Sequence, residues 1–230
     1  MNPLVVSVHA LNTGGGEGFV ADAAVFAELD CRAACVATAV LWPESLPLDV
    51  VARQLEAAKV SGPVAAVRVG FVTGAAQAEL VASFVRRAAP TTTVVAAPVR
   101  VGTSTPTPLE AETHEALRRH LFPAARVVVA RAADVVDLDG LRDAAKRLRD
   151  QGARAVLIAG LIVRGRVLDL LDDDGNVVLL DTARIQATRV PGLAGAHAAA
   201  LAAHLARGLA LSDAAEAAQR YIGFRLQRGR

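Results

Sequence analysis

Residues 5–29 read VVSVHALNTGGGEGFVADAAVFAEL, an apolar run that enters four glycines within five residues and leaves as a helical pattern. The run predicts a strand, the glycines a loop, and residues 19–29 a helix. Backbone so dense in glycine, placed between a strand and a helix, lies against a small ligand. The rest of the chain has to say which ligand, and whether chemistry is done on it.

Moving outward, the same rhythm repeats. CVATAVL at 35–41 predicts a second strand and 47–60 a helix of clear 3.6-residue spacing. Strands follow at 64–70, 91–101, 125–130 and 153–160, separated by helices at 75–88, 108–121 and 139–151, with Pro108 at a first-turn position. The pattern then changes. RGRVLDLLDDDGNVVLLD at 164–181 predicts two strands joined by a tight turn at Asp174-Gly175-Asn176. Two helices close the chain, at 194–208 and 212–227, the second with Ser212 as its N-cap. Strands alternating with helices predict an α/β domain: a mostly parallel central sheet, helices on both faces and a late antiparallel hairpin. Ligands in such sheets bind at the carboxyl ends of the strands. Both the glycine loop and the loop before Ala194 fall at that end.

Composition bounds the function. With 230 residues and no linker-like stretch, one domain over 1–230 is expected. Aromatics make up only 3% of the chain, so the core is built from Val, Leu, Ala and Ile. The 25 basic and 23 acidic residues leave no basic stripe, which excludes a nucleic-acid footprint. No apolar run is long enough to span a bilayer, and the start MNPLVVSVH lacks a signal-peptide pattern, so a cytoplasmic protein without membrane partners is expected. Cys31 and Cys35, in CRAAC, do not form a CxxC motif and read as buried thiols.

Several motifs can be tested and set aside. The phosphate loop of nucleotide hydrolases ends in GK[ST], and no lysine is present here. Gly16, Gly18 and Ala21 fit the dinucleotide pattern G-x-G-x-x-A. However, residues are inserted before the first glycine, and no acidic residue closes the next strand. Asp172, Asp173 and Asp174 lack the spacing of a calcium loop and predict a solvated turn. HEALRRH at 114–120 places its second histidine six residues on, which is not the zinc-protease spacing.

The order of motifs instead resembles the hydroxymethylpyrimidine and phosphomethylpyrimidine kinases of thiamine synthesis, in the ribokinase-like superfamily that also holds the pyridoxal kinases. NTGGGEGFVAD is similar to that family's D-P-S-G-G-A-G-I-Q-A-D, with Gly15, Gly16, Gly18, Ala21 and Asp22 on the pattern. VRVGFV resembles K-I-G-M-L, keeping Gly70 and placing Phe71 at the methionine. VVAAPVRVGTSTPTPL, LFPAARVVVARAADVVDL, GARAVLIAG and RVPGLAGAHAAALAAHLARG follow the family's remaining segments in the same order. The resemblance implies a ribokinase-like three-layer sandwich, ATP and magnesium as cofactors, a small heterocyclic ligand and a homodimer. It places the substrate around Gly15, Gly16, Gly18, Asp22, Gly70 and Phe71. It also places an anion hole at Gly192, Ala194 and Gly195.

The kinase reaction needs a base for the attacking alcohol, compensation of phosphoryl charge, and a held metal–nucleotide. Carried over position by position, the family's base falls on Gly195, which has no side chain, with His197 the nearest substitute. Its lysine falls on Ala159, its asparagine on Arg131, and two of its aspartates on Asn12 and Ala97. The glutamate falls on Asp134, the one candidate metal-linked residue. The glutamine that reads the pyrimidine falls on Pro43, leaving Glu44 and Trp42 beside it to hold a ring. His197 and His204 share one face of an alanine-rich helix, a spacing that also suits packing. Two readings follow. One is a phosphomethylpyrimidine kinase homologue with weak or no ATP-dependent phosphoryl transfer. The other is a non-catalytic heterocycle-binding or regulatory protein using the retained glycine-loop pocket.

Overall fold

Alternation along the central strands sets the layers. In β1 (Leu4–Leu11) and β3 (Val64–Val69), Val6, Val8, Val67 and Val69 face one side of the sheet, and Val5 and Ala66 face the other. All six are fully buried, and each buried valine contributes roughly 1.5–3 kcal/mol relative to exposure. The computed structural model describes residues 1–14, 16–40, 44–88, 92–98, 108–132, 137–185 and 192–228.

The remaining strands are β2 (Arg32–Val40), β4 (Thr93–Ala96), β5 (Val127–Arg131), β6 (Ala155–Val163), β7 (Arg166–Asp173) and β8 (Asn176–Ala183). They form one eight-stranded sheet in the order β2-β1-β3-β4-β5-β6-β7-β8. Pairings from β2 to β6 are parallel, while β7 and β8 run antiparallel. Helices α2 (Leu48–Val60), α3 (Ala75–Ala88), α4 (Pro108–Ala116) and α5 (Leu138–Asp150) bury the Val6/Val8 face. The opposite face packs against α1 (Gly18–Glu28), α6 (Leu193–Ala206) and α7 (Leu211–Arg228). This is the three-layer sandwich expected.

Helix α6 shows how composition meets architecture. Ala196, Ala198, Ala199, Ala200, Ala202 and Ala203 are all buried, because the helix lies on β1, β3 and β4 and is flanked by α1 and α7. A helix apolar on every side belongs inside. Methyl side chains bring its axis close to the strands.

The hairpin turn is two residues long, with Asp173 paired to Asn176. Asp174 (φ 54°) and Gly175 (φ 86°) are both left-handed, as a type I′ turn demands. Three boundaries differ from expectation. Helix α7 starts at Leu211, with the amide of Ala214 donating to Ala210 O, so Ser212 lies inside the first turn rather than at the cap. The helix expected over 108–121 gives way after Ala116 to a π-helical turn, Leu117–Leu121, and a 3₁₀ turn, Phe122–Ala124. Pro123, with no amide to donate, cannot extend an α-helix through that point. The strand expected over 91–101 is Thr93–Ala96, and residues 99–101 lie outside the described residues.

Candidate active site at the ends of β1 and β3

The chain leaves β1 toward β2 on one side and returns to β3 on the other, so the loops after β1 and β3 diverge. A crevice opens at such a switch point, outside the carboxyl ends of the strands. The glycine loop follows β1, and Gly70 and Phe71 follow β3. The head of α6 joins them. Gly192 caps α6 in the left-handed conformation (φ 75°), and a Cβ there would overlap the carbonyl oxygen of Gly16. Gly18 (φ 75°) is equally constrained, since a Cβ would overlap Ala10 O. Thus Gly192 permits the loop and the helix head to touch, and Gly18 lets the loop turn back against the end of β1. The first intrahelical bond runs from Ala196 N to Gly192 O. The amides of Leu193, Ala194 and Gly195 therefore precede the helical ladder; the anion hole that the resemblance implies at Gly192, Ala194 and Gly195 falls on this helix head.

Beneath this junction lies a buried polar cluster. Ser7 and Arg68 are cross-strand partners in β1 and β3, and His9 and Gly70 lie two residues further along the same face. Ser7 Oγ donates to Asp22 Oδ2 at 2.6 Å, and Arg68 Nε lies 3.4 Å from that oxygen. Both partners of this ion pair are inaccessible to solvent. Burial pushes the Asp22 carboxyl up, while Arg68 and the Ser7 hydroxyl pull it back. Burial also lowers the Arg68 pKa, against the pull of Asp22. Gly70 gives the guanidinium room: a Cβ there would overlap Arg68 Nη1 and the His9 ring. His9 Nδ1 accepts the Ala10 amide at 2.8 Å. Its pKa is pushed down to about 2 by burial and then by Arg68, so the ring is neutral with its proton on Nε2.

The other side of the end of β1 is apolar. Phe71 packs with Ala10 and Ala39, and its carbonyl accepts Thr38 Oγ1 at 2.7 Å. Gln77 Nε2 ties Thr38 O and Leu46 O together at 2.9 and 3.0 Å, holding the end of β2 to α3. Glu44 lies at this rim with an exposed side chain, and its carbonyl accepts the Val40 amide at 2.9 Å. Gly15, Trp42, Pro43 and Asp134 lie outside the described residues.

The positions matched to nucleotide binding line up across the neighbouring strand ends. Arg131 and Ala159 are direct partners of β5 and β6, the former exposed. Ala97 is buried just beyond β4. Asn12 Oδ1 accepts the Gly14 amide at 2.9 Å, closing an Asx turn within the glycine loop. His197 is buried on α6 and turns toward β7, where its Nε2 lies 3.8 Å from Asp169 Oδ2. Burial lowers the His197 pKa and raises that of Asp169, which also accepts the Gly160 amide. Among the described residues, no group of three or more His, Cys, Asp or Glu is placed to hold a metal ion. No helix among them is long and apolar enough to cross a membrane.

Ser7, His9 and Arg68 form a buried polar cluster beneath the candidate site that sequence reading missed. The signal was present in VVSVH and VAAVRVG, where polar side chains interrupt apolar strands at a spacing of two or stand alone. A cation inside such a strand requires a buried counter-charge.

The solved structure of the pyridoxal kinase from Staphylococcus aureus in complex with AMP-PCP matches with a TM-score of 0.89 and 25% identity, covering 99% of this chain and 89% of that one. The architecture is therefore ribokinase-like. The family model for phosphomethylpyrimidine kinase matches residues 12–229. The hydroxymethylpyrimidine/phosphomethylpyrimidine kinase of Rhizobium meliloti is 31% identical, over 96% of this chain and 90% of that protein. The enzyme of the same name from Mycobacterium bovis is 30% identical, over 96% and 86%. This chain belongs to the phosphomethylpyrimidine kinase family of thiamine biosynthesis.

Proposed function

We propose that this chain is a diverged member of its family that holds a small heterocycle in the crevice above β1 and β3 and transfers phosphoryl from ATP weakly or not at all. The observation that carries this reading is Gly195. At the head of α6, where the resemblance places the proton acceptor, there is no side chain. A positioned acid–base group supplies about 10²–10⁴-fold in rate. The pocket side is better furnished, with Phe71, Ala10 and Ala39 forming an apolar floor and the glycines giving close backbone approach.

The strand ends beside the crevice do not fit Mg-ATP well. Ala97 and Ala159 end in methyl groups where a carboxylate and an ammonium are called for, and Arg131 is the cation at that edge. The resemblance extends the proposal to a homodimer, which sedimentation velocity would measure directly.

Purified protein supplied with Mg-ATP and hydroxymethylpyrimidine is expected to release ADP at about 0.01 per second or less. Enzymes commonly turn over at roughly 1–10³ per second. Turnover near one per second would overturn the reading. Stabilisation of the fold by the pyrimidine alone, without nucleotide, would mark the crevice as a binding site in its own right.

A further inference from the structure

We propose that this chain carries a separate anion site at the end of the sheet opposite the crevice, where Arg86, Arg119, Arg126 and Arg154 receive the diphosphate group of a small molecule. The inference does not depend on what the crevice binds.

The site begins with strand register. Thr93 opens β4, Arg126 immediately precedes β5 and Arg154 immediately precedes β6, so all three lie at the amino ends of neighbouring parallel strands. Val128 pairs with Val156, and the same register two residues back sets Arg126 beside Arg154. Like charges placed side by side on adjacent strands repel and cost stability. The core does not require them, since Arg154 is exposed and Arg126 only half-buried.

Two more arginines come from the helical layer. Arg86 lies in the last turn of α3, and its Nη1 donates to His120 O at 3.1 Å. Arg119 and His120 belong to the π-helical turn that interrupts the helix after Ala116, a kind of interruption that recurs at functional sites. Between these elements lies an open hollow of about 540 Å³, within the size range of small-molecule sites. The four arginines and His120 line it together with Val94, Pro123 and Ala125, and among the described residues no carboxylate does.

The acids stand outside the hollow and steady some of the arginines. Asp173, in an adjoining hollow, accepts two bonds from Arg126 at 2.8 and 2.7 Å. Glu115 lies 3.3 Å from Arg119, Glu79 lies 3.7 Å from His120, and Asp174 pairs with Arg149. Arg86 has only a carbonyl, and the Arg154 side chain has no partner among the described residues. Four guanidiniums less the two paired with Asp173 and Glu115 leave two positive charges unbalanced, on Arg86 and Arg154.

Such a surplus, gathered in one hollow and presented by planar forks, suits a compact anion of two or more charges with oxygens in pairs. A monoester phosphate offers about three free oxygens, too few for four forks, whereas a diphosphate has enough for them all.

Isothermal titration of inorganic pyrophosphate into the intact chain, with orthophosphate and citrate as comparisons, tests this. Pyrophosphate is expected to bind about tenfold more tightly than either and to raise the Tm. The Arg86→Gln/Arg154→Gln double variant is expected to weaken pyrophosphate by about tenfold or more. Its own Tm should be unchanged or higher, because the charge removed has no carboxylate to balance it. Arg53→Gln takes an exposed arginine from α2 and is expected to leave pyrophosphate binding unchanged. Methyl diphosphate separates two sources of the group. Binding as tight as pyrophosphate marks an organic diphosphate, and weaker binding marks free pyrophosphate. No binding of pyrophosphate, affinity that survives the double variant, or equal weakening by Arg53→Gln overturns the inference. So does citrate binding as tightly as pyrophosphate. Each of these outcomes leaves the heterocycle reading of the crevice as it stands.

Discussion

Gly192, at the head of α6, meets the carbonyl oxygen of Gly16 so closely that no side chain can stand between them. This contact joins the glycine loop to the helix that carries the candidate anion hole. Gly192→Ala combines a backbone clash with a left-handed φ of 75°. The expected cost is roughly 1–3 kcal/mol from each source, with the loop pushed away from the helix. Urea unfolding reads the stability loss. Weaker pyrimidine binding in protein that remains folded reads the displacement.

Asp22 and Arg68 depend on each other in a fully buried setting. Removing one partner of a buried pair leaves an uncompensated charge, and Asp22→Ala is expected to destabilise the chain by about 3–5 kcal/mol. Ser7→Ala removes only the 2.6 Å hydrogen bond to the carboxylate and is expected to cost about 1.5–3 kcal/mol. The two losses should fall well short of additive in the double variant, since both act through Asp22 Oδ2. Full additivity in a double-mutant cycle would show that the three side chains do not act as one cluster.

His9 gives the cluster a pH signature. Below the ordinary imidazole range near 6.5, the unfolded chain takes up a proton that the folded ring refuses until about pH 2. Stability from this group is therefore present above pH 6.5 and is lost as the pH falls, by about 1.4 kcal/mol per pH unit. Asp22 and Asp169, whose carboxyls are pushed up by burial, act in the opposite sense in parent and variant alike. His9→Asn should therefore flatten the dependence between pH 6 and pH 4 by about that slope. Parallel curves for parent and variant would refute a buried neutral imidazole.

Phe71, which follows β3 at the proposed pocket, packs with Ala10 and Ala39 among the described residues. Phe71→Leu is expected to keep the pocket floor and most of the affinity for a flat ring. Phe71→Ala should raise the Kd for hydroxymethylpyrimidine about tenfold, equivalent to roughly 1.4 kcal/mol. An unchanged Kd would place the ring elsewhere.

Much of the architecture was legible because it is written in local periodicity. The valine-rich strands, the spacing of LDVVARQLEAA and the Asp-Gly turn each declare themselves within a dozen residues. The tight backbone contact around the glycine loop was also legible, because clustered glycines mark close approach. Arg68 was not. Its meaning comes from register, Ser7 opposite Arg68, and from the placement of Asp22 one layer above. Neither relation exists within any window of the sequence. The helix that ends early at Ala116 escaped for a related reason, since LRRHLFP keeps an apolar spacing that a π-turn and an α-helix share.

The methyl-lined seat of α6 has a mechanical consequence. Because Ala198, Ala199, Ala200 and Ala202 have no bulk to yield, the helix behaves as a rod clamped along its length. Adding even one methylene in mid-span must lift or slide the whole rod. The movement would emerge at its far tip, where Gly195 faces Arg68. A methylene added in mid-span is thus expected to be read as a shift of the head of α6, several turns from the substitution.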